Sequence, residues 1–247
     1  MTKPWNLAPE EWSSVLLEDA SPEQAAEDLK RGRLMPWALS LQHLTADIQT
    51  VLDLGSGRGE HSAFLALGRR ETTLTDWSNE NLEFSKELFS VMGLEGRFLQ
   101  ADITAPLPFK EGSFDAVFSC GVFEYFTDEQ IKSILKESFR VSRKKVIIMI
   151  PNAFAIAYRI GKWYMERIHR WPWGGERPMR TLKPHFRSVS KGRFYEFTVG
   201  AQHSLTFLNM RGGETIKKML IRFGVRDHLD PVSLKQGYLL VSVGEKT

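Results

Sequence analysis

From residue 50 onward, short apolar runs alternate with amphipathic segments. We predict five strands from these runs, over residues 50–54, 71–76, 96–100, 113–119 and 145–150. We predict helices between them over residues 60–67, 79–92 and 127–141, with Thr127 as the N-cap of the last. Strands that are separated by helices pair in parallel, and helices then cover both faces of the sheet. The pattern therefore predicts an α/β domain with a mostly parallel sheet.

The segments on either side of this alternation have a different character. Residues 1–46 are polar and predicted to be helical, with turns at Pro22, Gly32 and Pro36. Residues 152–205 show no clear strand–helix unit and are predicted to be an insertion after the fifth strand. A helix over 213–223 and two short strands near 225–227 and 238–243 would complete the sheet within residues 206–247. We predict a single domain of 247 residues, with residues 1–46 as a helical lid and 152–205 as a substrate cap over a core at 50–150.

A glycine turn follows the first predicted strand, in the segment VLDLGSGRGE. Gly55, Gly57 and Gly59 permit tight turning and close approach of the backbone to a ligand, and the helix that follows offers free N–H groups. The spacing G-x-G-x-G differs from the G-x-G-x-x-G of dinucleotide-binding proteins. Asp53, at the end of the strand, would favour a ligand with a cationic sulfonium and amino group over a pyrophosphate.

Two further acids end neighbouring predicted strands. Asp76 closes the second strand and could accept hydrogen bonds from both hydroxyls of a ribose. Asp102 follows the third strand and could accept from the exocyclic amine of an adenine. Taken singly, each acid is more often an ordinary turn residue. Because ligands of such sheets bind at the carboxyl ends of the strands, their joint placement predicts a nucleoside site.

These motifs resemble those of the class I S-adenosylmethionine-dependent methyltransferases. The resemblance rests on VLDLGSGRGE, TLTDWS, QADITAPLPFKEGSFDAVFS and KKVIIMIPN. It implies a Rossmann-like fold with a seven-stranded, mostly parallel sheet, and S-adenosylmethionine as the cofactor, leaving as S-adenosylhomocysteine. It also implies cofactor contacts along the methionine, ribose, adenine and methyl group from Asp53, Gly55, Ser56, Gly57, Gly59, Asp76, Trp77, Asp102, Ile103, Cys120 and Gly121.

Several subtypes of this family do not fit the chain. Ser119-Cys120-Gly121-Val122 follows the fourth strand, where enzymes that methylate amino groups of nucleic-acid bases carry D/N-P-P-Y/F. Cys120 also lacks the preceding proline of a cytosine-C5 methyltransferase, and we expect it to be a buried, unreactive residue. Since Cys120 is the only cysteine, neither an intrachain disulfide nor a cysteine-rich zinc site can form. We expect no metal site.

Methyl transfer from a sulfonium needs mainly alignment, and a general base helps when the acceptor is a hydroxyl. Our candidates for catalytic residues are Glu124 and Tyr125 after the fourth strand, and His203 and His185 in the insertion. Many family members carry Glu-His where this chain has Glu124-Tyr125. A lone histidine is more often structural than catalytic.

The chain has a pronounced charge asymmetry. Residues 140–193 hold 14 Lys/Arg and only two acids, Glu166 and Glu176, whereas the rest of the chain has a net charge of −9. Within this region, residues 153–175 can form an amphipathic helix. Its predicted apolar stripe includes Phe154 and Ile168, and its polar stripe includes Lys162. Such a helix could cap the substrate site, which we favour, or contact an anionic membrane surface through residues 153–173.

We therefore expect a cytoplasmic methyltransferase that acts on an O or N atom of a small acceptor, with peripheral contact to the membrane as an alternative. The acceptor would be anionic or linked to a lipid or glycan. A catalytically silent scaffold that only binds the cofactor is the main alternative, and an NAD-dependent oxidoreductase or an RNA methyltransferase fits less well. A nucleic-acid partner is not expected, since no RNA-binding module is recognised. Exposed aromatic residues of the insertion could equally form a homodimer contact.

Overall fold

The computed structural model describes residues 8–33, 35–223 and 233–246. Its strands are β1 (Thr50–Leu54), β2 (Glu71–Asp76), β3 (Arg97–Gln100), β4 (Phe114–Cys120), β5 (Ser142–Pro151), β6 (Phe194–Val199) and β7 (Leu239–Glu245). Its helices are α1 (Pro9–Leu17), α2 (Pro22–Lys30), α3 (Pro36–Leu44), α4 (Glu60–Leu67), α5 (Asn79–Met92), α6 (Asp128–Val141), α7 (Ile156–Arg167), α8 (Lys183–Val189), α9 (Ala201–Ser204), α10 (Gly213–Arg222) and α11 (Ser233–Gln236). Two short 3₁₀ turns lie at Phe123–Tyr125 and Leu205–Leu208.

The seven strands form one sheet in the order β3-β2-β1-β4-β5-β7-β6. Strands β1 to β5 pair in parallel, whereas β7 runs antiparallel to both β5 and β6. The strand order reverses between β1 and β4, and in such sheets this reversal opens the ligand crevice. The predicted Rossmann-like, mostly parallel sheet is confirmed.

The core strands form where the sequence concentrates apolar residues. In β4 the first six residues are buried, and in β5 the last six are buried. Apolar residues on both faces are expected of a parallel sheet that is covered by helices on each side. The polar side chains at strand ends, Asp53, Asp76 and Cys120, therefore collect at the carboxyl edge, where β1, β2 and β4 finish.

Local capping fixes where the crossover helices begin. Ser78 caps α5 by accepting a hydrogen bond from the N–H of Asn81 at 3.1 Å. Thr127 accepts from the N–H of Gln130 at 3.3 Å, and the Gln130 side chain accepts from the Thr127 N–H at 3.0 Å. This reciprocal pair is a capping box, and the predicted N-cap at Thr127 is confirmed.

The prediction for residues 152–205 was wrong in one respect. We predicted no strand–helix unit within 152–205, but β6 lies there, at the edge of the sheet. All six residues of β6 are half-buried, and its sequence FYEFTV is rich in aromatic and β-branched residues, which favour strands. The strand that we predicted near 225–227 lies outside the described residues, and the one predicted at 238–243 is confirmed as β7.

Helix α7 is the main helix of the insertion, and it ends at Arg167, well before residue 175. It packs closely on the second 3₁₀ turn, because Gly161 leaves room for the backbone there. A Cβ atom at Gly161 would meet the carbonyl oxygen of Phe207. Phe154 and Ile168 of the predicted apolar stripe are instead 48% and 39% exposed. Among the described residues, no helix is both long and apolar enough to cross a membrane.

Candidate active site

The glycine turn after β1 adopts a conformation that only glycine takes readily. Gly55, Gly57 and Gly59 have φ values of 71°, 53° and 72°, in the left-handed region. At Gly59 an added Cβ atom would also lie 2.6 Å from the Ser85 hydroxyl and 2.9 Å from a Leu74 methyl. The turn therefore leads directly into α4, with the side chains of Val122, Leu74 and Ser85 packed against its glycines.

Asp76 ties this turn to the end of β2. One carboxylate oxygen accepts from the Gly57 N–H at 2.9 Å, and the other accepts from the Ser78 N–H at 3.0 Å and the Asn81 amide at 3.3 Å. Burial raises the pKa of Asp76, and these hydrogen bonds oppose the shift. A carboxylate has about four lone-pair sites, so Asp76 keeps capacity for a ligand hydroxyl.

Asp53 lies beneath the turn and is 3% exposed. Its carboxylate accepts a hydrogen bond from the Ser62 hydroxyl at 2.7 Å. Burial raises the pKa of Asp53 to about 7, and the nearby charge of Asp76 adds to the shift. A cation bound at the turn would favour the ionised form of Asp53.

The three residues predicted to flank an adenine differ in their exposure to solvent. Trp77 is half-buried, and Asp102 is exposed. Thr104 orients the Asp102 carboxylate through its N–H at 2.8 Å and its hydroxyl at 2.7 Å. The Ile103 side chain instead packs in the core beneath. Any contact of Ile103 with a base would therefore come from its backbone.

The end of β4 places a carboxyl group next to the glycine turn. Gly121 has a φ of 72°, and a Cβ atom there would lie 3.7 Å from a Glu124 carboxyl oxygen. In the glycine turn, a Cβ atom at Gly55 would lie 2.8 Å from the side chain of Val122, which follows Gly121. Burial, followed by the charge of Glu176, raises the pKa of Glu124 well above its usual range. Burial also raises the pKa of the Cys120 thiol, so Cys120 is a thiol at neutral pH.

Comparisons with known proteins agree with this arrangement. Residues 51–145 match the model of a family described as a methyltransferase domain. A demethylmenaquinone methyltransferase from Thermus thermophilus is 34% identical over 128 residues, which are 48% of this chain and 55% of that protein. The chain thus spans about half the length of this curated relative.

Solved structures share the fold. An S-adenosylmethionine-dependent methyltransferase from Archaeoglobus fulgidus aligns with a TM-score of 0.60 at 15% identity, over 85% of this chain and 92% of that one. A magnesium protoporphyrin IX methyltransferase from Synechocystis, solved with S-adenosylhomocysteine, aligns with a TM-score of 0.55 at 10% identity, over 85% and 82% of the chains. Residues 51–145 therefore match a methyltransferase domain, and the chain shares its fold with S-adenosylmethionine-dependent methyltransferases.

S-adenosylmethionine is the cofactor of this class, and the described residues fit it. The chain has a left-handed glycine turn at Gly55–Gly59 and two buried carboxylates beside it, Asp53 and Asp76. The Ser56 hydroxyl at the turn is buried and has no hydrogen-bond partner among the described residues. These groups would hold the methionine and ribose parts. Among the described residues, no cluster of His, Cys, Asp or Glu could bind a metal ion.

The four candidate catalytic residues are separated by the fold. Glu124 and Tyr125 share the 3₁₀ turn after β4. The His203 ring lies 5.1 Å from the ring of Trp37 and 5.2 Å from that of Tyr238, within an aromatic wall. His185 is directed elsewhere, because its Nε2 lies 2.9 Å from the Asp128 carboxylate at the start of α6. Glu124 and Tyr125 are thus the candidates closest to the turn at Gly121.

One cluster of side chains in the insertion was not predicted from the sequence. It consists of Tyr158, Lys162, Trp171 and Glu176, and we call it the cap cluster. Lys162 was expected on the polar, solvent-facing stripe of α7, but its side chain is only 4% exposed. Its ammonium pairs with Glu166 and lies 3.8 Å from Glu176, over the ring of Trp171. Lys162 can be buried because these groups replace water around its charge. One signal was available, since Glu176 is one of only two acids in residues 140–193.

Proposed function

We propose that this methyltransferase transfers the methyl group of S-adenosylmethionine to an O or N atom of a small acceptor held between the core and the insertion. The observation that carries the proposal is the Glu124 carboxyl. Glu124 is 2% exposed, and its Oε2 atom has no hydrogen-bond partner among the described residues. An unpaired buried carboxyl oxygen is costly, and such groups collect at functional sites.

Bound S-adenosylmethionine supplies an electrophilic methyl group on a positively charged sulfur. The residues of the chain align the acceptor and receive its proton. Glu124 sits beside Gly121, where the family resemblance places the methyl group, and its backbone carbonyl is held by the Arg177 N–H of the insertion at 2.9 Å. Burial favours the protonated form of Glu124, whereas a positive charge nearby favours the carboxylate that can act as a base.

The test is methyl transfer from labelled S-adenosylmethionine to a panel of small hydroxyl and amine acceptors. We expect Glu124→Gln to lower turnover by about 10²-fold or more while S-adenosylhomocysteine binding is kept, because general-base catalysis typically contributes on this scale. Glu129→Gln, an exposed position on α6, is the matched control and should leave turnover unchanged. Equal turnover in Glu124→Gln and Glu129→Gln would exclude Glu124 as the base. A protein that binds the cofactor but methylates none of the panel would favour the silent scaffold.

We further propose that the outer face of α7 rests on an anionic lipid surface, from which a lipid-linked acceptor could be taken up. Ile156, Arg159, Trp163 and Arg167 lie along this face, and Ile156 and Trp163 are 48% and 59% exposed. Ten of the 14 basic residues in 140–193 are exposed. Exposed aromatic and basic side chains on one helix face suit an interfacial helix.

Co-sedimentation with phosphatidylcholine vesicles, with and without phosphatidylglycerol, tests this second proposal. We expect binding only to the anionic vesicles, and its loss in Trp163→Glu. Leu39→Glu is the control, because Leu39 is similarly exposed, at 58%, but lies on α3. Binding that both variants lose equally, or that does not depend on phosphatidylglycerol, would contradict the proposal.

A further inference from the structure

This inference rests on the proposed methyl transfer and concerns the chemical class of the acceptor. We propose that Glu124 and the cap cluster form a binding site for a neutral, hydroxyl-bearing ring. The chain would then be an O-methyltransferase for a neutral alcohol or phenol. The anionic acceptor expected from the charge of residues 140–193 would not occupy the interior of this site.

Two buried polar atoms carry the argument. The Oε2 atom of Glu124 and the Nε1 atom of Trp171 have no hydrogen-bond partner within the part of the chain that the structure describes. As a carboxylate, Glu124 can only accept a hydrogen bond, and the indole N–H of Trp171 can only donate one. A hydroxyl group both donates and accepts, whereas an ammonium cannot accept and a carboxylate cannot donate. Hydroxyl groups are therefore the complement of the pair.

Tyr158 and Glu176 lie between the residues that surround Glu124 Oε2 and those that surround Trp171 Nε1. The Tyr158 hydroxyl donates to a Glu176 carboxyl oxygen at 2.5 Å, and the Tyr125 hydroxyl lies 3.5 Å from the other oxygen. Tyr125 directly follows Glu124, and the ring of Trp171 lies 6.2 Å from that of Tyr158. Glu124 and Trp171 thus border one polar cluster, and we infer that one hydroxylated ring system contacts both.

The buried cation of the cap cluster already has acidic partners, which disfavours an anionic ligand. Lys162 is the one buried lysine among the described residues, and Glu176 and Glu166 are its partners. The exposed basic residues of the insertion lie outside this cluster. A carboxylate acceptor here would add a buried negative charge beside Glu124 and Glu176 without a cation of its own. An ammonium could pair with Glu124 but would leave the Trp171 N–H without an acceptor.

Aromatic side chains surround the proposed acceptor site, which suits an acceptor with a ring system. Trp12 of α1 lies with its ring 4.8 Å from Tyr125 and stacks at 6.4 Å on Trp173 of the insertion, so α1 and the insertion meet over the 3₁₀ turn. Further rings continue the wall from Tyr158 to Tyr238, Phe207 and His203. Aromatic side chains bury large ring surfaces in stacked or edge-to-face contacts. The ring of the acceptor would enter where Trp12 and Trp173 separate.

In the methylation step, the acceptor oxygen forms a bond to the methyl carbon while the bond between that carbon and sulfur breaks. The hydroxyl proton passes to Oε2 of Glu124, and the electron pair of the broken bond stays on sulfur as S-adenosylhomocysteine leaves. Trp171 donates to a hydroxyl oxygen of the ring and is a positioning residue. Glu176 holds Tyr125 and Tyr158 in place and is also a positioning residue.

The probes are 2-naphthol, 2-naphthylmethylamine and 2-naphthoate, which share one ring system and differ in the polar group. Their binding is followed by titration calorimetry in the complex with sinefungin, an analogue whose amine replaces the sulfonium and keeps the positive charge that favours the Glu124 carboxylate. S-adenosylhomocysteine binding is measured alone beforehand. We expect the naphthol to bind about tenfold or more tightly than the charged probes. Stronger or equal binding of the amine or the acid would overturn the proposal, as would binding of none of the probes to the intact complex.

Two variants test whether the cap cluster sets the selectivity for naphthol over the charged probes. Trp171→Phe keeps a ring but removes the N–H donor, and we expect naphthol binding to weaken by about tenfold. Trp163→Phe, at an exposed position of the same insertion, should not change it. Unchanged naphthol binding in Trp171→Phe would overturn the role of the insertion. Failure of the wild-type protein to bind S-adenosylhomocysteine would instead overturn the proposed function, so the two failures are distinguishable.

Discussion

The core at residues 50–150 and the insertion at 152–205 both contribute to the site, but in different ways. In the core, the functional groups stand at strand ends, where the sheet topology alone brings Asp53, Asp76 and Gly121 together. In the insertion, Lys162, Trp171 and Glu176 meet through tertiary packing, across loops and short helices. The core contributes a backbone turn to the site, and the insertion contributes a cluster of side chains.

This difference indicates which of the two regions, the core or the insertion, can vary in the ligand that it recognises. A glycine turn with acids behind it accepts one kind of cofactor, because its backbone conformation is fixed by positive φ values and close packing. The side chains of the cap cluster can be exchanged without altering the sheet. Cofactor and acceptor recognition are therefore separable, and variants in one half should leave the other intact.

The largest effect is expected in the core turn. Gly59→Ala should lower the free energy of unfolding by roughly 2–4 kcal/mol, because it adds left-handed backbone strain to a clash with Ser85 and Leu74. Gly93→Ala is the matched control, since Gly93 has a φ of 65° but an added Cβ atom would meet nothing within 4 Å. Urea unfolding of both variants separates the clash from the strain. Equal losses would mean that Gly59 is not packed as described.

A smaller effect is expected in the insertion. Lys162→Met should lower the free energy of unfolding by about 2 kcal/mol, because it leaves Glu176 buried without its cation, although Glu176 can take up a proton. Lys217→Met removes an exposed pair with Glu214 and should change stability by less than about 0.5 kcal/mol. Cofactor affinity should be unchanged in both. A loss of cofactor affinity in Lys162→Met alone would break the separation of the two halves.

The smallest effect concerns pH. Because the pKa of Asp53 is about 7 in the free protein, a cationic cofactor should bind up to about tenfold more tightly at pH 8 than at pH 6. The linkage to stability has the opposite sign. A raised carboxyl pKa means that the unliganded protein loses stability as pH rises through 7. Asp53→Asn should remove both trends, and calorimetry and urea unfolding across this range would show it. Persistence of both trends in Asp53→Asn would assign them to other groups.

The sequence predicted more of the core than of the insertion, for physical reasons. Strands β1 to β5 follow from apolar runs, and Thr127 and the glycine turn follow from local backbone requirements. Edge strand β6 was missed, although its sequence FYEFTV is rich in aromatic and β-branched residues, which favour strands. It pairs antiparallel with β7, so it lies outside the alternation of parallel strands and crossover helices that revealed β1 to β5. Lys162 was misplaced because helical periodicity assigns a charged residue to solvent, whereas two acids and an indole ring surround it here.

The most direct test of the central claim is calorimetric titration of the wild-type protein, Asp76→Ala and Trp171→Phe with S-adenosylmethionine and S-adenosylhomocysteine. We predict that the wild type binds both ligands, that Asp76→Ala binds them about tenfold or more weakly, equivalent to ~1.4 kcal/mol, and that Trp171→Phe binds them like the wild type. Absence of binding by the folded wild-type protein, or equal weakening in the two variants, would contradict a cofactor site built by the core alone.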